Sequence, residues 1–220
     1  MKKFAIPMLV IFACLIMGIV DAVIQPGYIV KSVIKIIMFL FIPVMYSVFC
    51  KNYNILKIFK ADKKGFLFAL TLGIMIYAII LVAYFMFRNI FDFSALTSSL
   101  NETTGVNESN FLWVAIYISF VNSLLEEFFF RGFAFLALKK VVSKGFAYVF
   151  SSMFFALYHI AMMIGWFGIP VILISLTGLF VGGLIFDRFD DKYGNIYLSW
   201  LVHMFANFSI NTIGFILFAC

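Results

Sequence analysis

The sequence predicts an all-α polytopic membrane protein, a transmembrane helical bundle of about seven spans with a cytoplasmic N-terminus. Three observations predict it. Apolar residues make up 65% of the 220 positions and charged residues 12%, with a mean hydropathy of +1.12. A soluble domain has about 45–50% apolar and about 25% charged residues, so there is too little charge here to cover a surface facing water. Seven apolar runs reach the ~20 residues a helix needs to cross a bilayer. The basic residues fall mainly on one side of the topology built from those runs.

The runs are 4–24, 29–49, 65–87, 111–138, 146–164, 169–186 and 195–218. The first follows Met1-Lys2-Lys3 as a signal peptide would. No small-x-small cleavage site follows it, so it reads as an uncleaved helix. The second is the weakest, with Lys31 and Lys35 in its first turns. The third follows a basic connector, 50–64, read as an orientation anchor. The fourth is long and must tilt or extend beyond the bilayer. The remaining three follow after short connectors.

With the N-terminus inside, cytoplasmic segments carry Lys2, Lys3, Lys51, Lys57, Lys60, Lys63, Lys64, Lys139, Lys140, Lys144, Arg188 and Lys192, which is 12 of the 16 basic residues. Lys31, Lys35 and Arg88 fall outside, and Arg131 lies within a span. The outer loop 88–110 holds Asp92, Glu102 and Glu108. This asymmetry predicts N-in and C-out. It also accounts for the net charge of +6 without a nucleic-acid partner. Sequons at Asn101 and Asn107 are patterns short enough to arise by chance. Cys14, Cys50 and Cys220 are scattered and odd in number, which gives neither a disulfide framework nor a zinc spacing. Cys220 is the last residue, so it forms no prenylation box.

Ionisable residues inside spans are costly and mark function by default. The fourth run contains Glu126, Glu127 and Arg131. The fifth contains His159 and the seventh His203, the two histidines of the chain. Residues three and four apart share a helix face. Ser119, Asn122, Ser123, Glu126 and Glu127 therefore form one polar stripe. Ser151 and Ser152 lead through Phe155 to His159. Ser199, His203, Asn207 and Asn211 follow at four-residue steps. Turning the three stripes towards one cavity is the least costly arrangement. Counted from Lys139, Lys144 and Lys192, Glu126, His159 and His203 lie about 16–22 Å from the cytoplasmic edge at ~1.5 Å per residue, so they can meet at one level.

Glu127 and Arg131 are four apart and predict an ion pair. Glu126 is about 140° away from Arg131 around the helix. It is therefore expected to be the freer carboxylate, desolvated and beside a like charge, suited to act as a base. An adjacent imidazole can share the activation of water, and a second His with an Asn can donate to an oxyanion. The stripes alone also fit ion or proton transport, or interhelical packing. Glu126, His159 and His203 can in principle hold a divalent metal such as zinc, although there is no H-E-x-x-H and no cysteine pair.

Glu126-Glu127-Phe128-Phe129-Phe130-Arg131-Gly132 resembles the E-E-x-x-x-R-G motif of the CAAX protease and bacteriocin-processing family, also called the Abi family. Phe155 and His159 resemble its F-x-x-x-H motif. His203 and Asn207 resemble its H-x-x-x-N motif. Gly178 and Gly182, which on packing grounds alone predict a close helix contact, resemble its glycine-containing helix. The resemblance covers roughly residues 119–211. It implies an intramembrane endopeptidase similar to the type II prenyl-protein endoprotease, within a family of six to eight helices. It also implies roles: Glu126 and His159 activate water, His203 and Asn207 stabilise the oxyanion, and Glu127 and Arg131 support the site. Metal and glutamate mechanisms both remain open. On this reading residues 1–110 supply the N-terminal helices and outer loop, and residues 111–220 the catalytic core, of one membrane domain.

The rival readings are a non-proteolytic family member, acting in bacteriocin immunity or as a scaffold, and a small proton-coupled transporter using Glu126. The preference for Lys over Arg and the richness in Phe and Ile suit an AT-rich bacterial genome. The expected location is then the bacterial cytoplasmic membrane. The expected partners are the lipid bilayer and peptide or membrane-protein substrates, such as bacteriocin or pheromone precursors, rather than prenylated proteins.

Overall fold

Every one of the seven apolar runs is a helix. The computed structural model describes residues 2–50, 54–60, 64–90, 94–164 and 167–219. Lys51, Lys63, Asp92 and Cys220 lie outside the described residues, as do the side chains of Lys2 and Lys3. The helices long and apolar enough to cross a membrane are Phe4–Ile24, Tyr28–Phe49, Phe66–Phe87, Phe111–Lys140, Lys144–Met163, Ile169–Tyr193 and Tyr197–Phe218, here the first to seventh spans. Among the described residues there is no strand. The chain is an integral membrane protein.

Local chemistry sets the span ends. Ser143 begins the fifth span by accepting the Phe146 N–H on its hydroxyl, one of the donors a helix start leaves without a backbone partner. Gly194, at φ 70°, ends the sixth. That left-handed conformation carries no Cβ penalty in glycine, which suits it to the position after a helix. The Asn195 side-chain oxygen then accepts the Tyr197 N–H and starts the seventh.

The fourth span is the hub. It packs against the first, second, fifth, sixth and seventh, while the third packs on the seventh. Lipid offers no hydrophobic drive between helices, so close packing and polar contacts must hold them. Packing comes from Phe129, Phe130, Phe133 and Phe135 of the fourth span, all fully buried. Phe39 of the second span stacks on Phe129 at 4.1 Å between ring centres. The lipid-facing shell is apolar, with Phe4, Leu15, Leu67, Met86, Leu173 and Ile174 exposed.

Two expectations change. The contact expected at Gly178 and Gly182 is absent, because a Cβ at either position would meet nothing within 4 Å. The close approach is at Gly183, where a Cβ would lie 3.0 Å from Ser152 Cα. The packing face of the sixth span is thus one residue further along than the G-x-x-x-G spacing suggests. The sixth span also runs to Tyr193, seven residues beyond the expected end at 186. Its last turns carry Asp187, Arg188, Asp190, Asp191 and Lys192. Asp187 and Asp190, three apart, turn inward and are fully buried, while Arg188 and Lys192 stay exposed. A helix can continue through this charged stretch because its charges divide between two faces.

Candidate active site

Glu126 lies midway along the fourth span and is 2% exposed. Its Oε1 accepts from Lys35 Nζ at 2.5 Å and from Asn122 Nδ2 at 3.1 Å. Its Oε2 faces His159 Nε2 at 3.9 Å and His203 Nε2 at 3.7 Å. One oxygen is held by donors, and the other is turned towards two imidazoles. The two separations exceed a direct hydrogen bond and match the reach of a bridging water.

Both rings are fixed through their other nitrogen. His159 Nδ1 lies 2.7 Å from the Phe155 carbonyl. A carbonyl only accepts, which assigns the proton to Nδ1 and directs Nε2 at Glu126. His203 Nδ1 donates in the same way to Glu127 Oε1 at 2.8 Å. Phe155 lies edge-on to both rings, at 4.9 Å from His159 and 5.8 Å from His203. The position four before His159 therefore supplies a carbonyl and a ring wall together.

A second layer lies beneath. Glu127 Oε2 pairs with Arg131 Nε at 3.3 Å, as their spacing predicts. Arg131 also reaches Asp187 Oδ1 at 3.8 Å. Its guanidinium carbon lies 4.0 Å from the Phe155 ring centre and 5.0 Å from that of Phe186. Asp187 in turn accepts from the Ser151 and Ser152 hydroxyls, each at 3.1 Å. Asp190 accepts from Ser199 at 2.9 Å. A fully buried cation is thus matched by carboxylates from two spans, which a charge in a low-dielectric interior requires.

From His203 onward the seventh-span stripe faces the fourth span, while Ser199 faces Asp190 of the sixth. Asn207 Nδ2 donates to the Ile118 carbonyl at 3.2 Å, one turn from His203. Asn211 Nδ2 donates to the Ala115 carbonyl and, at 2.9 Å, to the Ser119 hydroxyl.

The structure therefore brings Glu126, His159 and His203 together and sets Glu127 and Arg131 behind His203. It places Asn207 on the same face. It corrects one expectation: Glu126 is not the freer carboxylate, because Lys35 pairs with it from the second span. Sequence reasoning placed Lys35 at the outer edge of the membrane and assigned it no role. It also missed Asp187 and Asp190, for which the three-residue spacing within DRFDD was the available signal.

A divalent metal suits this arrangement poorly. Three acceptors converge, but among the described residues no three His, Cys, Asp or Glu side chains are spaced to hold an ion. A cation brought to Glu126 would also meet the Lys35 ammonium on the same carboxylate.

Residues 108–209 match the family described as type II CAAX prenyl endopeptidase Rce1-like. That region belongs to the CAAX protease family. No curated protein and no solved structure gives a significant match. The matched region contains Glu126, Glu127, Arg131, His159, His203 and Asn207, and it leaves the first three spans outside. The family is one of membrane endopeptidases.

Proposed function

We propose that this protein hydrolyses peptide bonds of membrane-associated peptides or proteins, with Glu126 and His159 activating the water. The carrying observation is the convergence of Glu126 Oε2 with both Nε2 atoms at 3.9 and 3.7 Å. A water between these groups gives a proton to Glu126 while its oxygen attacks the scissile carbonyl. The carbonyl oxygen becomes an oxyanion, which His203 Nε2–H and Asn207 Nδ2–H stabilise. Glu127, on His203 Nδ1, balances the positive charge that His203 carries when both ring nitrogens hold protons. Arg131, itself paired with Asp187, holds Glu127 in place. The proton on Glu126 passes to the leaving amine, the C–N bond breaks, and one water has been consumed. No step in this scheme uses a metal.

The proposed setting is the bacterial cytoplasmic membrane with the N-terminus inside, and the proposed substrates are secreted peptide precursors or membrane-protein tails. Substitutions test the assignment. Glu126→Gln and His203→Ala should each abolish cleavage by about 10²–10⁴-fold while the protein still assembles. Wild-type function in both variants would refute it. A bacteriocin-immunity or scaffold role predicts that both variants stay functional, and a proton-coupled transporter predicts loss in Glu126→Gln alone.

A further inference from the structure

We propose that Lys35 is a positioning residue of this site, acting through Glu126. The proposal rests on the proteolytic reading above and extends it to a helix that the family match does not reach. Lys35 is 4% exposed, in the second span. Its ammonium donates to Glu126 Oε1 and to Asn122 Oδ1, both at 2.5 Å. It also lies 5.0 Å from the Tyr158 ring centre and 5.5 Å from that of Phe39. Tyr158 immediately precedes His159, so the ammonium is enclosed by residues of the second, fourth and fifth spans.

The geometry separates this role from simple helix pairing. A carboxylate has two equivalent oxygens and rotates unless one of them is held. Lys35 and Asn122 hold Oε1, and this leaves Oε2 facing both histidines at water-bridging distance. Without the ammonium, Asn122 is the remaining donor on Oε1. A carboxylate charge that Lys35 no longer balances is then drawn directly onto His159 and His203. Direct pairs would close the gap in which water is to be bound. Lys35 thus keeps the base and the imidazoles apart, and it supplies the counter-charge that a buried carboxylate needs. The same contact ties the second span to the reaction centre, so the N-terminal part of the chain completes the site rather than only anchoring it.

The test uses the full chain in lipid nanodiscs with ¹³C-labelled histidine. Two histidines give two sets of ring signals, both from the site. Both sets should move in Lys35→Met and in Glu126→Gln, and stay in place in Lys144→Met, which removes the same charge from an exposed side chain. Cleavage of a quenched fluorescent peptide with an apolar anchor should fall about a hundredfold in kcat, with KM within about threefold, because the residue orients a base. Lys35→Arg should restore a tenth or more of the wild-type kcat. Unmoved histidine signals in folded Lys35→Met, or an equal loss from Lys144→Met, would overturn the proposal. If Lys35→Met does not assemble, the Lys35→Met/Glu126→Gln double variant removes both charges, and its histidine spectrum should equal that of Glu126→Gln alone. A further shift in the double variant would show that Lys35 acts on the histidines other than through Glu126. If the wild type cleaves no probe, the proteolytic reading is what suffers, and the histidine spectra still decide whether Lys35 positions Glu126.

Discussion

Asp187 offers the sharpest test of the buried network, because its carboxylate serves three partners at once. Asp187→Ala removes two hydroxyl–carboxylate hydrogen bonds of 3.1 Å and the 3.8 Å charge contact with Arg131. Ser151 keeps the Phe130 carbonyl as an acceptor at 3.0 Å, so part of the loss is absorbed. Arg131 keeps Glu127 but becomes under-compensated, and breaking a buried charge pair costs about 3–5 kcal/mol. That is about two to three and a half decades in the folding equilibrium. Asp187→Asn retains an acceptor for one serine and should lose less, about 1–3 kcal/mol. Asp191 is the internal control. It sits on the same helix turn with Lys139, Lys144 and Arg188 around it, but those partners are 22–68% exposed. Such pairs contribute about 0–1 kcal/mol, so Asp191→Asn should change little. Unfolding of each variant in a titration of denaturing detergent against mild detergent gives the comparison. Equal midpoints for Asp187→Ala and Asp191→Asn would refute the buried-network account.

Two further predictions follow from the packing and from the site. Gly183→Leu should prevent close approach of the fifth and sixth spans and lower the unfolding midpoint strongly, because even a Cβ meets Ser152 Cα at 3.0 Å. Gly178→Ala should be near neutral in the same assay, and the reverse order would contradict the assigned packing face. Cleavage should persist after divalent ions are stripped by a chelator; loss with recovery on adding zinc would show that the site adapts to a metal.

The seven spans were legible because each apolar run is as long as a bilayer is thick, and a soluble fold has no use for so many. The Glu127–Arg131 pair was legible because four residues define a helix face. The convergence of Glu126, His159 and His203 followed from polar stripes that lipid does not tolerate. Lys35 was not legible. It is 91 positions from Glu126, and near the end of an apolar run a lysine reads as an interfacial anchor. Nothing in local periodicity states which spans become neighbours. Asp187 and Asp190 were hidden because five ionisable residues among six positions end a hydropathy window, although the helix continues with its charges divided between two faces. Gly178 and Gly182 misled because spacing identifies a stripe of small residues without fixing whether it faces protein or lipid.

The most direct measurement compares membrane and secreted peptides by mass spectrometry in cells carrying wild type or Glu126→Ala at matched levels. The account predicts a peptide fragment made by the wild type and missing from Glu126→Ala, with its uncut precursor retained. Identical peptide profiles, together with a cellular phenotype that Glu126→Ala still rescues, would contradict proteolysis and leave a non-catalytic immunity or scaffold role.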